Sequence, residues 1–172
     1  MSVIYTRSKY NAPPLGRNMG RQLSPLEAFV HHTADAEGMS FNTKDEQVRK
    51  IRAIDHFHRN GRGWSMTGYH WLVFQKVGSR NVSRGFAVRP VLYVPAAQAN
   101  HNTRTLAIAV VGNGDKEPMF DDTVACIARI IRMYKNVRVV GGHRDVVATG
   151  CPGRNFYQRL PQIAHRAGVR VY

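Results

Sequence analysis

Cysteine is nearly missing from this chain: its 172 residues include only Cys126 and Cys151. Two thiols exclude a disulfide framework, and a chain of this length can bury a core without such staples. Acidic residues are scarce too. Eleven Asp and Glu stand against 25 Lys and Arg, a net charge of +14. That charge points to an anionic partner such as nucleic acid, anionic lipid or a bacterial wall polymer. No apolar run approaches the roughly 20 residues that cross a bilayer, so membrane insertion is not expected. The start, Met1 to Arg7, lacks the charged end and apolar stretch of a signal peptide, which predicts a soluble product made in the cytoplasm. Helix-turn-helix, paired Cys-x-x-Cys and RNP-type aromatic segments are all missing, so specific nucleic-acid binding is not expected. There are no repeats, linkers or low-complexity segments.

What is present reads as one folded domain of alternating strands and helices. Residues 1–24 are polar, basic and rich in turn formers, including Pro13-Pro14, and predict an irregular arm lying on a domain of residues 25–172. Ala28 to His32 is short and apolar, as a buried strand is. Thr43-Lys44-Asp45-Glu46 is a capping box, followed by Val48, Ile51, Ile54 and Phe57 at helical spacing and a stop at Asn60-Gly61. Tyr69 to Gln75, Gly85 to Tyr93, Thr105 to Val111 and Val137 to Val140 predict further strands. Asp121-Asp122 opens a second helix with Val124, Ile127, Ile131 and Tyr134 on one face. Cys126 falls in that pattern as a small hydrophobe, and a last helix is expected over 155–166. Strands interleaved with helices predict an α/β fold, a single mixed sheet flanked by helices.

The most informative stretch runs from Gly142-His143-Arg144-Asp145 to Thr149-Gly150-Cys151-Pro152-Gly153. It sets an imidazole and a thiol eight residues apart in a glycine-bounded loop directly after a predicted strand. Upstream, Val30-His31-His32-Thr33 ends another strand. Neutral imidazoles and a thiolate are the donors zinc selects. Three protein donors with a fourth position open is a catalytic arrangement, whereas a structural zinc normally takes four. His31 and His32 point to opposite faces of a strand, so only one of them can look into such a site. Asp145, two residues after His143, reads as a brace for the loop. His56, His58, His101 and His165 read as structural or surface groups.

The chain resembles the zinc-dependent N-acetylmuramoyl-L-alanine amidases of the type-2 amidase and peptidoglycan recognition protein superfamily, most of all a phage endolysin domain. The likeness runs from about Tyr5 to Tyr157. It is carried by Thr6-Arg7-Ser8-Lys9-Tyr10-Asn11-Ala12, where a tryptophan is usual at Tyr10, by Phe29-Val30-His31-His32-Thr33-Ala34, by Thr67-Gly68-Tyr69-His70-Trp71, and by the His143 to Cys151 loop. The resemblance implies a zinc ion held by His31, His143 and Cys151, with Tyr69 as a catalytic phenol. It implies hydrolysis of the amide between N-acetylmuramic acid and L-alanine in peptidoglycan, by a monomer. Such a protein would be made in a bacterial host's cytoplasm and reach the wall by holin-type release. Thr149 stands where many phage members have a lysine, and its hydroxyl is the second candidate oxyanion donor, without a charge. Ala96-Ala97-Gln98 replaces a usual Gly-x-His, leaving His101 or Asn102 to line the groove in its place. The alternatives are a non-catalytic peptidoglycan-binding module and a cytoplasmic amidase that recycles muropeptides.

Overall fold

The computed structural model describes residues 2–36, 38–75 and 82–172. In chain order its elements are β1 (Val3–Tyr5), β2 (Glu27–His32), α1 (Lys44–His56), β3 (Trp71–Phe74), β4 (Arg84–Ala87), β5 (Thr105–Val111), α2 (Asp121–Arg132), β6 (Val139–Gly142), α3 (Arg154–Tyr157), α4 (Leu160–Ala167) and β7 (Arg170–Val171). The strands form one seven-stranded sheet in the order β1-β4-β3-β5-β2-β6-β7. All neighbours are parallel except the β3–β4 pair. Among the described residues, no helix is long and apolar enough to cross a membrane.

The central strand β5 is buried along its whole length, as a strand covered on both faces must be. Its alternate residues serve two cores. Leu106, Ile108 and Val110 pack with Val124, Ile127, Ile130 and Ile131 of α2 and Leu160 and Ile163 of α4. Ala109 and Val111 share the other face with Ile51 and Ile54 of α1, Leu72 and Phe74. Each large apolar side chain so buried contributes about 1.5–3 kcal/mol. Cys126 sits in the α2 core, where burial pushes its thiol up to about 12.

The capping box is present: the Thr43 hydroxyl accepts from Glu46 N–H at 3.2 Å, and the Glu46 carboxylate accepts from Thr43 N–H at 2.8 Å. Helix α1 continues into a wider π-type turn, Phe57–Gly61, and so ends where Asn60-Gly61 predicts.

Three expectations are corrected. The arm is not wholly irregular, because Val3–Tyr5 pairs in parallel with β4 at the sheet's edge. The strand expected over Gly85 to Tyr93 is only Arg84–Ala87, because Pro90 starts a turn in which Tyr93 N–H returns to its carbonyl. The last helix is two, α3 and α4, broken at Gln158-Arg159. The two-residue β7 is an element the sequence did not announce.

His70 welds the start of β3 to β5. Its Nδ1 accepts from Ala107 N–H at 3.0 Å, and its Nε2 donates to the Tyr93 carbonyl at 2.9 Å. A second ring proton would face the Ala107 N–H. Burial accordingly pushes this imidazole down to about 4, against the opposing Tyr93 carbonyl. An unfolded histidine titrates near 6.5, so the unfolded state takes up the proton first as pH falls. The contribution is complete above about pH 6.5 and disappears as pH drops through about 4. The urea midpoint should therefore decline across that window, while the His70 ring stays neutral by NMR down to about pH 5. A His70 titration near 6.5 in the folded protein would contradict this.

Candidate metal centre and groove

Strands β2 and β6 are direct parallel neighbours, with Val30 level with Gly142. His31 at the end of β2 and His143 just beyond β6 therefore emerge side by side, with ring centroids 4.6 Å apart. The loop then returns Cys151 to them: its Sγ lies 3.8 Å from His31 Nδ1. One donor atom each from His31, His143 and Cys151 lies within 4.8 Å of the others.

The strand alternation resolves which histidine joins. His31 faces the α1 side of the sheet. His32 faces away, its Nδ1 accepting from Gly114 N–H at 3.1 Å and its backbone N–H reaching Cys151 Sγ at 3.4 Å. Beside His31 in register is Ala109 of β5, whose small side chain leaves room above the strand. Tyr69 leans across that space onto the His31 ring, with centroids 5.3 Å apart.

The loop from His143 to Cys151 is braced as expected. Asp145 accepts from Gly142 N–H at 2.8 Å and from the Tyr157 hydroxyl at 2.6 Å. Arg144 lies over the Tyr157 ring and donates to the Gly150 carbonyl, and its backbone N–H donates to the Cys151 carbonyl at 3.0 Å. Gly153 closes the loop at φ +86°, a conformation that suits glycine alone. Thr149 lies on this loop, its hydroxyl accepting from Cys151 N–H at 3.3 Å.

Tyr69 is held by the segment before it. Asp55 of α1 accepts from Thr67 N–H at 2.7 Å, His58 Nδ1 accepts from Gly68 N–H at 3.2 Å, and Arg89 donates to the Thr67 carbonyl at 3.2 Å. Tyr69 and His143 form part of the wall of a groove of about 470 Å³. The wall also includes Asp35, Phe57, His58, Arg62 and Trp64, whose part in a groove the sequence pattern did not show. The available signal was Arg62-Gly63-Trp64, immediately before the Tyr69 segment. His58, read as structural, faces this groove, and burial and then Arg62 push its imidazole down to about 4. His101 and Asn102 do not line it. His101 pairs with Glu27 at 2.7 Å, and the Asn102 side chain accepts from Ala97 and Gln98 N–H. Ala96 and Ala97 form that part of the wall.

Electrostatics keep the cluster uncharged. Burial, then His143, pushes the His31 imidazole well below its usual range. Burial and then His32 lower that of His143. Burial raises the Cys151 thiol to about 11, against the opposing His32 N–H and Arg144. Burial, then the neighbouring Cys151, holds the Tyr69 phenol above its usual value. The cluster and the tyrosine beside it are therefore two neutral imidazoles, a thiol and a protonated phenol.

This sheet and groove define the peptidoglycan recognition protein fold. Bumblebee peptidoglycan recognition protein SA superimposes with a TM-score of 0.78 at 23% identity over 94% of this chain and 95% of that one. The N-acetylmuramoyl-L-alanine amidase LysC from Clostridium intestinale does so with a TM-score of 0.73 at 23% identity, over 98% and 99%. In sequence, the chain is 25% identical to Drosophila simulans peptidoglycan-recognition protein SC2 over 139 residues, 77% of this chain and 71% of that protein. It is 27% identical to the human N-acetylmuramoyl-L-alanine amidase over 173 residues, 95% of this chain but 28% of that protein. The Amidase_2 model, described as N-acetylmuramoyl-L-alanine amidase, matches residues 22–154. The chain belongs to that family.

Proposed function

We propose that this protein is a zinc-dependent N-acetylmuramoyl-L-alanine amidase that hydrolyses the bond between the lactyl group of N-acetylmuramic acid and L-alanine in bacterial peptidoglycan, working as a phage or prophage endolysin. The observation that carries the reading is the convergence of His31, His143 and Cys151 beside a groove whose wall includes His143 and Tyr69.

These residues fit a zinc ion. His143 Nε2 is buried without a hydrogen-bond partner among the described residues, which is costly for a polar nitrogen in a protein interior. Both imidazoles are held neutral, as ligands must be. Two nitrogens and one sulfur are a zinc donor set, with the fourth position left to water or substrate. A zinc ion there supplies Lewis acidity, which acidifies water and polarises a carbonyl.

The chain's own side chains supply the rest. Tyr69 stays protonated and can donate to the oxygen that gains charge as the amide is attacked. The Thr149 hydroxyl, which accepts from Cys151 N–H, keeps its own proton for a second such bond. The walls of the groove orient the stem peptide and exclude water.

The charge of +14 supports action on the wall itself, since it draws the domain onto a polymer rich in carboxylates and phosphates. Attraction between exposed charges is screened over about 8 Å at physiological ionic strength. Lysis of whole walls should therefore fall steeply by several hundred millimolar salt, while cleavage of a small soluble muropeptide should change little. Equal salt dependence on both substrates would remove the charge from the mechanism.

Product analysis on purified peptidoglycan, with metal content measured on the same sample, tests the assignment. Free stem peptides with an L-alanine amino terminus, released by protein holding about one zinc, are the expected result. Wall binding without release would make this a recognition module. Activity on soluble muropeptides but not on sacculi would make it a recycling amidase.

A further inference from the structure

Gln98 is fully buried, and its hydrogen bonds settle which way its amide points. The Thr105 hydroxyl donates to the Asn102 carbonyl at 2.7 Å, so toward Gln98 it can only accept. It does so from Gln98 Nε2 at 2.9 Å, and the same nitrogen reaches the His101 carbonyl at 3.4 Å. The amide nitrogen is thereby committed to this side, and Oε1 must face the other. Gln98 Oε1 is buried with no partner among the described residues. A buried carbonyl oxygen left unpaired costs about 1–3 kcal/mol, so the group facing it should be a donor.

A matching donor is present. His31 Nε2 is also buried and unpaired among the described residues. The opposite ring nitrogen, Nδ1, is the one turned toward Cys151 Sγ. The Gln98 side chain is the hydrogen-bonding neighbour that favours the protonated His31 ring, although neither orphaned atom has a partner at full hydrogen-bond geometry among the described residues. A neutral imidazole carries one proton, so fixing it on one nitrogen leaves the lone pair on the other.

We infer that Gln98 Oε1 accepts from His31 Nε2–H and so holds the imidazole in the tautomer and orientation that turn the Nδ1 lone pair toward His143 and Cys151. Gln98 is thus a positioning residue for the metal centre, acting through His31 and touching neither metal nor substrate. The inferred pairing is independent of the zinc reading above, whereas its consequence for metal affinity rests on that reading. Outer-shell partners of this kind typically command about 10–100-fold in metal affinity.

The first measurement needs no variant and no metal. In metal-free protein labelled with ¹⁵N-histidine, the His31 nitrogens should show a protonated Nε2 and an unprotonated Nδ1. A proton on Nδ1 would overturn the assignment. The second uses Gln98→Met, close in shape but without an acceptor, and Gln98→Glu, which keeps an oxygen there. Zinc affinity, read by competition with a chromogenic chelator, should drop about 10–100-fold in Gln98→Met, beyond the modest fall in the metal-free thermal midpoint that loss of the Nε2 bond to Thr105 brings, and should recover in Gln98→Glu. Unchanged tautomer and affinity in Gln98→Met would sink the proposal. Wild type that takes up no zinc would end the amidase reading instead, with the tautomer still deciding the Gln98 bond.

Discussion

Cys151→Ser should lose zinc and peptide release together. Cys151 is the one of the three converging side chains that would become an anionic donor on binding zinc, because a metal-coordinated thiol is deprotonated at neutral pH and an alcohol is not. The loss should exceed the roughly 10–100-fold that outer-shell partners command, leaving activity near background. A readout independent of catalysis sharpens the test. A ligand that binds only the folded state at 100 times its dissociation constant stabilises by about 2.7 kcal/mol, several degrees in midpoint for a chain of this size. Adding zinc to stripped wild type should raise its thermal midpoint by that amount, and adding it to Cys151→Ser should not. The variant should still fold, since among the described residues the hydrogen bonds of the Cys151 sulfur are two long ones, with His32 N–H and His31 Nδ1. Zinc retained at full stoichiometry in Cys151→Ser would remove this residue from the site.

Tyr69→Phe should separate binding from chemistry. The substitution keeps the ring that packs on His31 and the backbone held by Asp55 and His58, and deletes only the phenolic hydroxyl. Loss of one oxyanion donor typically costs about 10²–10³ in kcat. Zinc content, KM and the thermal midpoint should change little, because the ring contacts and the metal donors are untouched. The phenol is held protonated by burial, so no alkaline limb assignable to Tyr69 should appear in the rate below about pH 10. Wild-type kcat in Tyr69→Phe would reduce the residue to a packing aromatic.

How far the sequence reaches differs from element to element. The capping box at Thr43, the buried strand Thr105 to Val111 and the apolar face of α2 are local patterns whose period or spacing names the structure directly. Edge strands carry no such pattern. Val3–Tyr5 and Arg170–Val171 are strands only because β4 and β6 lie beside them, and no window of sequence around either one contains its partner. The break at Gln158-Arg159 escaped for a related reason. Apolar residues on both sides face one core, so the pattern runs on through two helices that the backbone separates.

The composition and motifs of this chain by themselves determined an α/β domain, the strongly basic surface and the residue types able to hold a metal, because these depend on counts, periods and spacing along one segment. Tertiary structure decided what depends on segments distant in sequence. It paired β2 with β6 and so brought His31 within reach of His143 and Cys151. It chose His31 over His32 through the strand's facing, and placed Arg62 and Trp64 in the same groove wall as Tyr69 and His143. It also buried Gln98 near His31, where the sequence showed only a departure from a familiar pattern. A hydrogen-bond acceptor becomes meaningful when the donor facing it is known, and the donor inferred for Gln98 lies 67 residues upstream, at the end of β2.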